Sequence, residues 1–384
     1  MRRVAVVTGT RAEYGLLASS MREIEAHADL ELRTVVTGMH LSPRHGMTVD
    51  EIEADGFAVD DRVHMQVDGD TGLTMAKSLG LGLSGLAESF GRLDPDVVLV
   101  LGDRDEAFAA GVAAAHMNVP VAHVHGGDSM DGAIIDDSIR HALTKFAHLH
   151  FPVSERSAER VERLGEEPWR ITTVGAPGLD AVLTGEYTPP EEVREEYGLD
   201  PDRPLALVVQ HPVTTQPEAA GDQMRATLDV VDAVDDLQVV LVYPNADAGG
   251  QRAIDVIESH PVRDHALTVR SLPRRDFLGV MAAADVMVGN SSSGIIEAPS
   301  FGLPVVDVGP RQSGRERAEN VVSVPHDERR IREAIDRCLT DDAVSARAAS
   351  CDNPYDYGGA GARIVARLAD VDLDDRLHRK RLTY

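Results

Sequence analysis

The segment 121–145 reads VAHVHGGDSMDGAIIDDSIRHALTK and gathers His123, His125, Asp128, Asp131, Asp136, Asp137, Arg140 and His141. It starts as an apolar strand, breaks at Gly126-Gly127 and runs on toward a helix. Carboxylates and imidazoles so placed can take up and return protons. In open parallel sheets the carboxyl ends of strands are also where ligands sit. A solvated acidic loop is the competing reading. The histidines and Arg140 favour chemistry, because surplus charge elsewhere in the chain is almost wholly Asp and Glu.

Other turns after predicted strands carry unusual polar residues. Thr8-Gly9-Thr10-Arg11 enters a helix whose amino end would favour an anion, and Gly9 would let backbone approach a ligand. It is not a G-x-G-x-x-G fingerprint, so a dinucleotide is not indicated. His40, after Gly38-Met39, reads as structural on its own. Asp103, between Gly102 and Arg104, is a candidate acid, base or sugar-hydroxyl acceptor. Its alternative is an Asp–Arg surface pair or a helix cap.

In the second half, His211 of QHPVTT is a candidate diphosphate donor or proton carrier. Its alternative is a histidine bonded to a backbone carbonyl. Asn245, after Pro244, is a candidate nucleotide contact. Asn290-Ser291-Ser292-Ser293-Gly294 opens a helix that holds Glu297. Free amides, hydroxyls and the positive helix end would make a phosphate cradle, with Glu297 placed to accept from ribose hydroxyls. A plain serine N-cap explains one serine but not three. Arg311 and Arg315, in GPRQSGRE, can each neutralise phosphate.

These turns need elements to hold them. Strands are predicted over 4–8, 30–37, 96–101, 119–124 and 148–153, alternating with helices over 14–27, 73–93, 107–116, 137–146 and 155–164. A proline-rich stretch from 175 to 204 suggests a hinge. Alternation then resumes, with strands over 205–210, 238–243, 286–289 and 305–308 and helices over 223–234, 250–259, 277–284, 294–301 and 361–370. The pattern predicts an α/β protein of two similar doubly wound parallel sheets facing a cleft. The domains are 1–175 and 204–365, with the hinge over 176–203.

At 384 residues, 43% hydrophobic and 27% charged, the chain suits two globular domains. The apolar run at the amino end is too short for a signal peptide, and no run approaches a bilayer span. Cys338 and Cys351 have no metal-ligand spacing and frame no disulfides, so a cytoplasmic protein without metal or other cofactor is expected. The formal net charge is −26, and of 38 lysines and arginines only Lys77, Lys145 and Lys380 are lysines. Such a surface suits a salt-rich cytoplasm, where screening makes dense negative charge tolerable. No basic stripe or arm is visible, so neither nucleic acid nor an anionic membrane is an expected partner.

GTRAEYGLL, GMHLSPRHG, LGDRDE, HVHGGD, IDDSIRHALTK, QHPVTT, YPNADAG, GNSSSGIIEAPSFGLPVV and GPRQSGRE occur in this order. Together they resemble the hydrolysing UDP-N-acetylglucosamine 2-epimerases, across residues 4–365. The resemblance implies two Rossmann-like domains facing a cleft in a GT-B-like fold, with a nucleotide sugar in the cleft, a C-terminal helix over about 366–384 crossing back to the first domain, and a homodimer. It implies UDP contacts from Arg11, Arg104, His211, Asn245, Ser291, Ser292, Glu297 and Arg311. It also implies catalytic carboxylates at Asp103 and Asp136. Many members carry glutamate in an H-x-E-G-G motif where this chain has His125, while Asp128 keeps the next acidic site. Histidine there resembles the subgroup assigned to legionaminic-acid-type sugars.

The reaction so implied converts UDP-N-acetylglucosamine and water to N-acetylmannosamine and UDP. Loss of UDP from C1 would run ahead of proton loss from C2, and carboxylates would stabilise the positive ring. A 2-acetamidoglucal would then take up water. Asp103 and Asp136 would transfer the proton or stabilise the cation, with Asp128 or His125 as partner. His211, Arg311 and the turn at 291–294 would hold the diphosphate. The alternatives are the same chemistry on a UDP- or GDP-linked diacetamido sugar, a non-hydrolysing 2-epimerase, a glycosyltransferase with an acceptor site, and a non-catalytic nucleotide-sugar sensor. Retention of Asp103, Asp128 and Asp136 counts against the sensor.

Overall fold

Both halves of the chain build the same doubly wound sheet. A computed structural model describes residues 1–43, 46–69, 71–129, 134–244 and 248–384. The first sheet contains β1 (Arg2–Thr8), β2 (Leu30–Thr37), β3 (Asp61–Val63), β4 (Val97–Leu101), β5 (Val121–Val124) and β6 (Leu149–Phe151). The second contains β7 (Leu205–Val209), β8 (Gln238–Val242), β9 (Leu267–Val269), β10 (Val286–Gly289), β11 (Val305–Val308) and β12 (Val321–Val324). Their orders are β3-β2-β1-β4-β5-β6 and β12-β11-β10-β7-β8-β9, and every strand pairing is parallel.

Each order reverses once, between β1 and β4 and between β7 and β10. Connections leave in opposite directions there, which opens a crevice at the carboxyl ends of the two strands. β4 (VVLVL) and β7 (LALVV) flank these reversals and are buried at every residue. Unbroken apolar runs are what strands covered by helices on both faces require.

The sequence pattern does not predict β3, β9 or β12. All three are sheet edges of three or four residues, too short and too mixed for a buried-run signal. The proline-rich stretch also holds a helix the pattern omits, Pro190–Glu196. Its proline occupies the first turn, where the missing N–H has no intrahelical partner to lose.

The chain forms two compact units. The first contains Met1–Ser129, Ile135–Asp180 and Tyr357–Tyr384, and the second Ala181–Asp356. The end of the chain therefore belongs to the first unit. Ile364, Val365 and Leu368 of the helix Ala360–Asp370 join Val4, Leu17, Met21 and Leu99 in one core. Asp180 fixes where that helix begins, its two carboxylate oxygens accepting from the amides of Ala360 and Gly361, each at 2.8 Å. Arg2 holds the other end, donating to the Val371 carbonyl at 2.7 Å. No helix among the described residues is long and apolar enough to cross a membrane.

Asp180 caps a helix that no local sequence signal would anchor, since its own N-cap residue is Gly359. Asp180→Ala should lower the unfolding free energy by about 1–2 kcal/mol, with Asp180→Asn less harmful. Urea unfolding at constant high salt measures both, and an unperturbed Asp180→Ala midpoint would discount the cap.

Candidate active site

In the first unit the polar turns after β4 and β5 meet on one guanidinium. Arg140 is 2% exposed and projects from the helix Ile134–Phe146. Its Nη1 donates to Asp137 Oδ1 at 2.7 Å and to the Asp128 carbonyl at 3.0 Å, and its Nη2 pairs with Asp103. Asp103 is thus neither a helix cap nor paired with its neighbour Arg104. Asp137 shares the guanidinium and also accepts from Ser129 Oγ at 2.9 Å. The sequence reading assigns no role to Asp137 or Arg140, although their three-residue spacing on a helix is a recognisable ion-pair signal. Asp136 sits one residue earlier, half-buried in the first helical turn.

His125 ends β5 with φ +66°, a left-handed conformation that a side chain adopts at a cost. Its amide continues the sheet, donating to the Phe151 carbonyl at 3.1 Å. Gly127 follows at φ +79°, and a Cβ there would lie 2.1 Å from the Ser157 carbonyl oxygen. Arg160 ties the same turn down, donating to the Gly127 carbonyl at 3.0 Å. Gly127 therefore packs the turn against the helix Glu155–Arg163, and His125 and Asp128 stand just past the end of β5. Both are buried, at 8% and 3% exposure. Beneath them His123 Nε2 lies 2.8 Å from the Gly102 carbonyl, linking the β5 strand to the turn before Asp103. Burial lowers His123 to about 3, so that ring is neutral.

The turn after β1 is organised by carboxylates. Thr10 caps the helix Arg11–Ala26 in a reciprocal capping box with Glu13. Glu13 Oε2 accepts from the amides of Gly9 and Thr10 at 2.9 and 3.0 Å. Close packing by itself requires Gly9: a Cβ there would lie 2.4 Å from Glu106 Cγ. Arg11 pairs with Glu51 at 2.9 Å and Arg104 with Glu106 at 3.4 Å. His40 is buried between Thr8 and Thr48 and lowered to about 4 by that burial.

In the second unit Asn290 is the hub. Its side chain accepts from the His211 amide at 2.7 Å and donates to the His211 carbonyl at 2.9 Å. Its own carbonyl accepts from Arg311 Nη1 at 3.1 Å and Gln312 Nε2 at 2.9 Å. One residue thereby joins the ends of β7 and β10 and the turn after β11. Gly289 makes this possible, since at φ +132° a Cβ would fall 2.1 Å from the Val209 carbonyl oxygen. Burial, then Arg311, lowers His211 to about 3, so it offers a neutral donor and not a cation.

The serine cradle differs from the expectation. The predicted helix over 294–301 is a single turn, Ser293–Ile296, followed by a 3-10 turn, Ala298–Phe301. Pro299 cannot continue the ladder and Gly302 closes it in the left-handed region. A four-residue helix has little macrodipole, so amides and hydroxyls carry any anion binding there. Ser291 Oγ accepts from the Ser293 amide at 3.3 Å, and Ser292 makes no side-chain cap bond. Glu297 is 3% exposed, and its Oε1 accepts from Arg274 at 2.8 Å, a partner the sequence reading misses. Asn245 lies outside the described residues.

Glu13 gives this site a pH dependence. Burial, then the neighbouring Glu106, raises it from 4.5 to about 7. Between those values the folded chain holds a proton that the unfolded chain has released. Its stabilising contribution is thus complete below pH 4.5 and falls away as pH rises through 7, by about 3 kcal/mol. Glu13→Gln should flatten the loss of stability between pH 5 and 7.5. Parallel urea curves for wild type and variant across that range would refute the assignment.

Comparison with known proteins agrees with this geometry. A family model described as UDP-N-acetylglucosamine 2-epimerase matches residues 22–369. A Legionella pneumophila UDP-N,N'-diacetylbacillosamine 2-epimerase (hydrolyzing) is 40% identical over 324 residues, covering 84% of this chain and 85% of that protein. A Neisseria meningitidis UDP-N-acetylglucosamine 2-epimerase is 32% identical over 375 residues, covering 97% and 95%. A crystal structure of a Neisseria meningitidis UDP-GlcNAc 2-epimerase bound to UDP-GlcNAc superposes with a TM-score of 0.80 at 18% identity, over 95% of this chain and 99% of that one, which shows a shared GT-B-like fold. The doubly wound order written twice and a match over most of the chain leave one placement: this enzyme belongs to the UDP-N-acetylglucosamine 2-epimerase family.

Proposed function

We propose that the enzyme is a hydrolysing 2-epimerase that releases UDP and a free, C2-inverted 2-acetamido sugar. The observation that carries this reading is the set of acids assembled around Arg140 where β4 and β5 end. Epimerisation by elimination needs carboxylates on the sugar and no acceptor. The C1–O bond breaks and UDP leaves with the electron pair. A carboxylate then takes the C2 proton, which leaves the glycal. Water adds at C1 and a proton returns to the opposite face of C2. Asp103, oriented by Arg140, suits stabilisation of the positive ring, and Asp128 and Asp136 suit the proton transfers. Neutral His211, Arg311, Ser291 and Ser292 would bind the diphosphate, Glu297 the ribose, and Arg11, Arg104 and Asn245 the remainder of UDP.

For the sugar we propose a UDP-linked 2,4-diacetamido sugar ahead of the UDP-N-acetylglucosamine read first from the sequence. Support comes from the higher identity to the Legionella enzyme named for such a sugar and from His125 at the acidic site of the motif. A buried imidazole can donate to an N-acetyl carbonyl where glutamate could not. The test supplies UDP-GlcNAc and UDP- and GDP-diacetamido sugars without acceptor, following UDP by chromatography and the sugar by NMR. Free UDP and free inverted sugar should appear, fastest from the UDP-diacetamido substrate. Accumulating UDP-linked epimer would exclude the hydrolysing reading, and turnover only with an added acceptor would indicate a transferase. Asp128→Asn should lower kcat about a hundredfold or more, whereas His125→Gln should change sugar preference.

We also propose the homodimer. Leu73, Met75 and Leu81 on the helix Gly72–Leu93 are 66%, 55% and 51% exposed, an apolar face that a second copy would cover. Light scattering at high salt should give twice 41.4 kDa, and the monomer mass would rule the dimer out.

A further inference from the structure

The chain uses only three lysines, and two of them close on one buried carboxylate. Glu166 is 1% exposed. Lys145 Nζ lies 2.6 Å from Glu166 Oε1 and Lys380 Nζ 2.8 Å from Oε2, with His150 Nε2 3.1 Å from the same Oε2. Lys145 is the penultimate residue of the helix Ile134–Phe146, and Lys380 lies in the last segment of the chain. Lys380 also donates to the carbonyls of Thr144 and Lys145, at 3.1 and 2.9 Å. Those are among the carbonyls a helix leaves unbonded at its carboxyl end, where a cation is favoured.

Burial works against the charge on Glu166, yet bonds from His150 and the two lysines hold it down to about 2. Burial likewise lowers Lys380 to about 8 against the pull of Glu166. The segment that delivers Lys380 is itself anchored. Arg170, 1% exposed, donates to the carbonyls of Leu377 and Arg376 at 2.8 and 2.7 Å, and the Thr383 amide donates to the Gly165 carbonyl at 3.2 Å.

We propose that Lys380, with Glu166 and Lys145, is a positioning device for the reaction: the chain terminus clamps the carboxyl end of the helix whose other half presents Asp136, Asp137 and Arg140. The proposal rests on the function proposed above. Arg140 can reach Asp103 and the Asp128 carbonyl only if its helix keeps both its axial position and its rotation. Four turns are too few to hold that register by propensity alone, so tertiary contacts at the far end fix it. A displacement of about 1 Å at reacting groups costs about a hundredfold in rate. Lysine serves here because one compact ammonium must meet two carbonyls and a carboxylate at once, where the wider guanidinium fork would crowd them. That accounts for a lysine at position 380 in a chain that uses arginine for most of its basic residues.

The test compares wild type, Lys380→Met and Lys380→Arg as full chains at high salt. Lys380→Met should lower kcat by about tenfold to a hundredfold, while the Kd for UDP alone stays within about twofold, because the expected nucleotide contacts at 211, 291, 292, 297 and 311 lie in the other unit and those at Arg11 and Arg104 lie outside the helix Ile134–Phe146. Lys380→Arg should recover part of kcat. Hydrogen exchange, which needs no substrate, should show faster exchange in Lys380→Met across 134–146 and unchanged exchange in β1 and β4. Normal kcat and exchange in Lys380→Met would overturn the proposal. So would a loss of kcat that tracks a general loss of thermal stability with exchange raised throughout the first unit. Wild type that turns over no nucleotide sugar would instead defeat the functional reading, with the exchange result still deciding the clamp.

Discussion

A buried guanidinium cannot shed its charge, so carboxylates must come to it. Arg140 is such a group, 2% exposed, and the first unit is built around meeting that demand. Asp103 arrives from the turn after β4, the Asp128 carbonyl from the turn after β5, and Asp137 from the helix of Arg140 itself. Removing one partner from such a set leaves an uncompensated charge, which is costlier than never having buried the pair. The same arrangement that satisfies Arg140 brings acids to the carboxyl end of the sheet. Stability and chemistry there share one set of contacts.

The second unit solves a different problem with a neutral residue. Three strand ends have to be held together at one point, and a buried carboxylate there would need a cation of its own. Asn290 offers a donor and an acceptor without charge, and its backbone carbonyl takes Arg311 and Gln312 as well. Burial, and then Arg311, lowers the pKa of His211. Cationic charge is concentrated in the arginine and the imidazole remains a neutral donor. Acids gather around Arg140 in the first unit, and Asn290 and Arg311 organise the strand ends of the second.

Surface and interior treat charge in opposite ways. The surplus of Asp and Glu lies outside, where counterions screen it. Inside, several charges are met by particular partners: Arg140 by Asp103 and Asp137, Glu166 by Lys145 and Lys380, Glu297 by Arg274, Asp307 by Arg317 at 3.1 Å. Low local dielectric makes an unmatched charge expensive there whatever the salt outside.

Much of the fold is determined by local pattern. Strands buried on both faces must be apolar without interruption, so β4, β5, β7 and β10 are legible in single short runs, and their alternation with helices specifies a parallel, doubly wound sheet. The edge strands β3, β9 and β12 escape because they are partly exposed and three or four residues give no period. The turns that carry Asp103, His125, Asp128, His211 and Ser291–Gly294 are also legible, because glycines and polar residues directly after apolar runs mark strand ends. Partnership is not. Nothing in the sequence near Asp103 points to Arg140, near Glu297 to Arg274, or near Lys145 to Lys380, since each pair closes only when distant elements pack. The same packing decides what surrounds Gly9 and Gly127: a Cβ at Gly9 would meet the Glu106 side chain, and one at Gly127 the Ser157 carbonyl oxygen. Residue types and spacing determined which groups reach the sheet ends. Tertiary structure alone decided which charges face each other, because ion pairs depend on distance in space and carry no period along the chain.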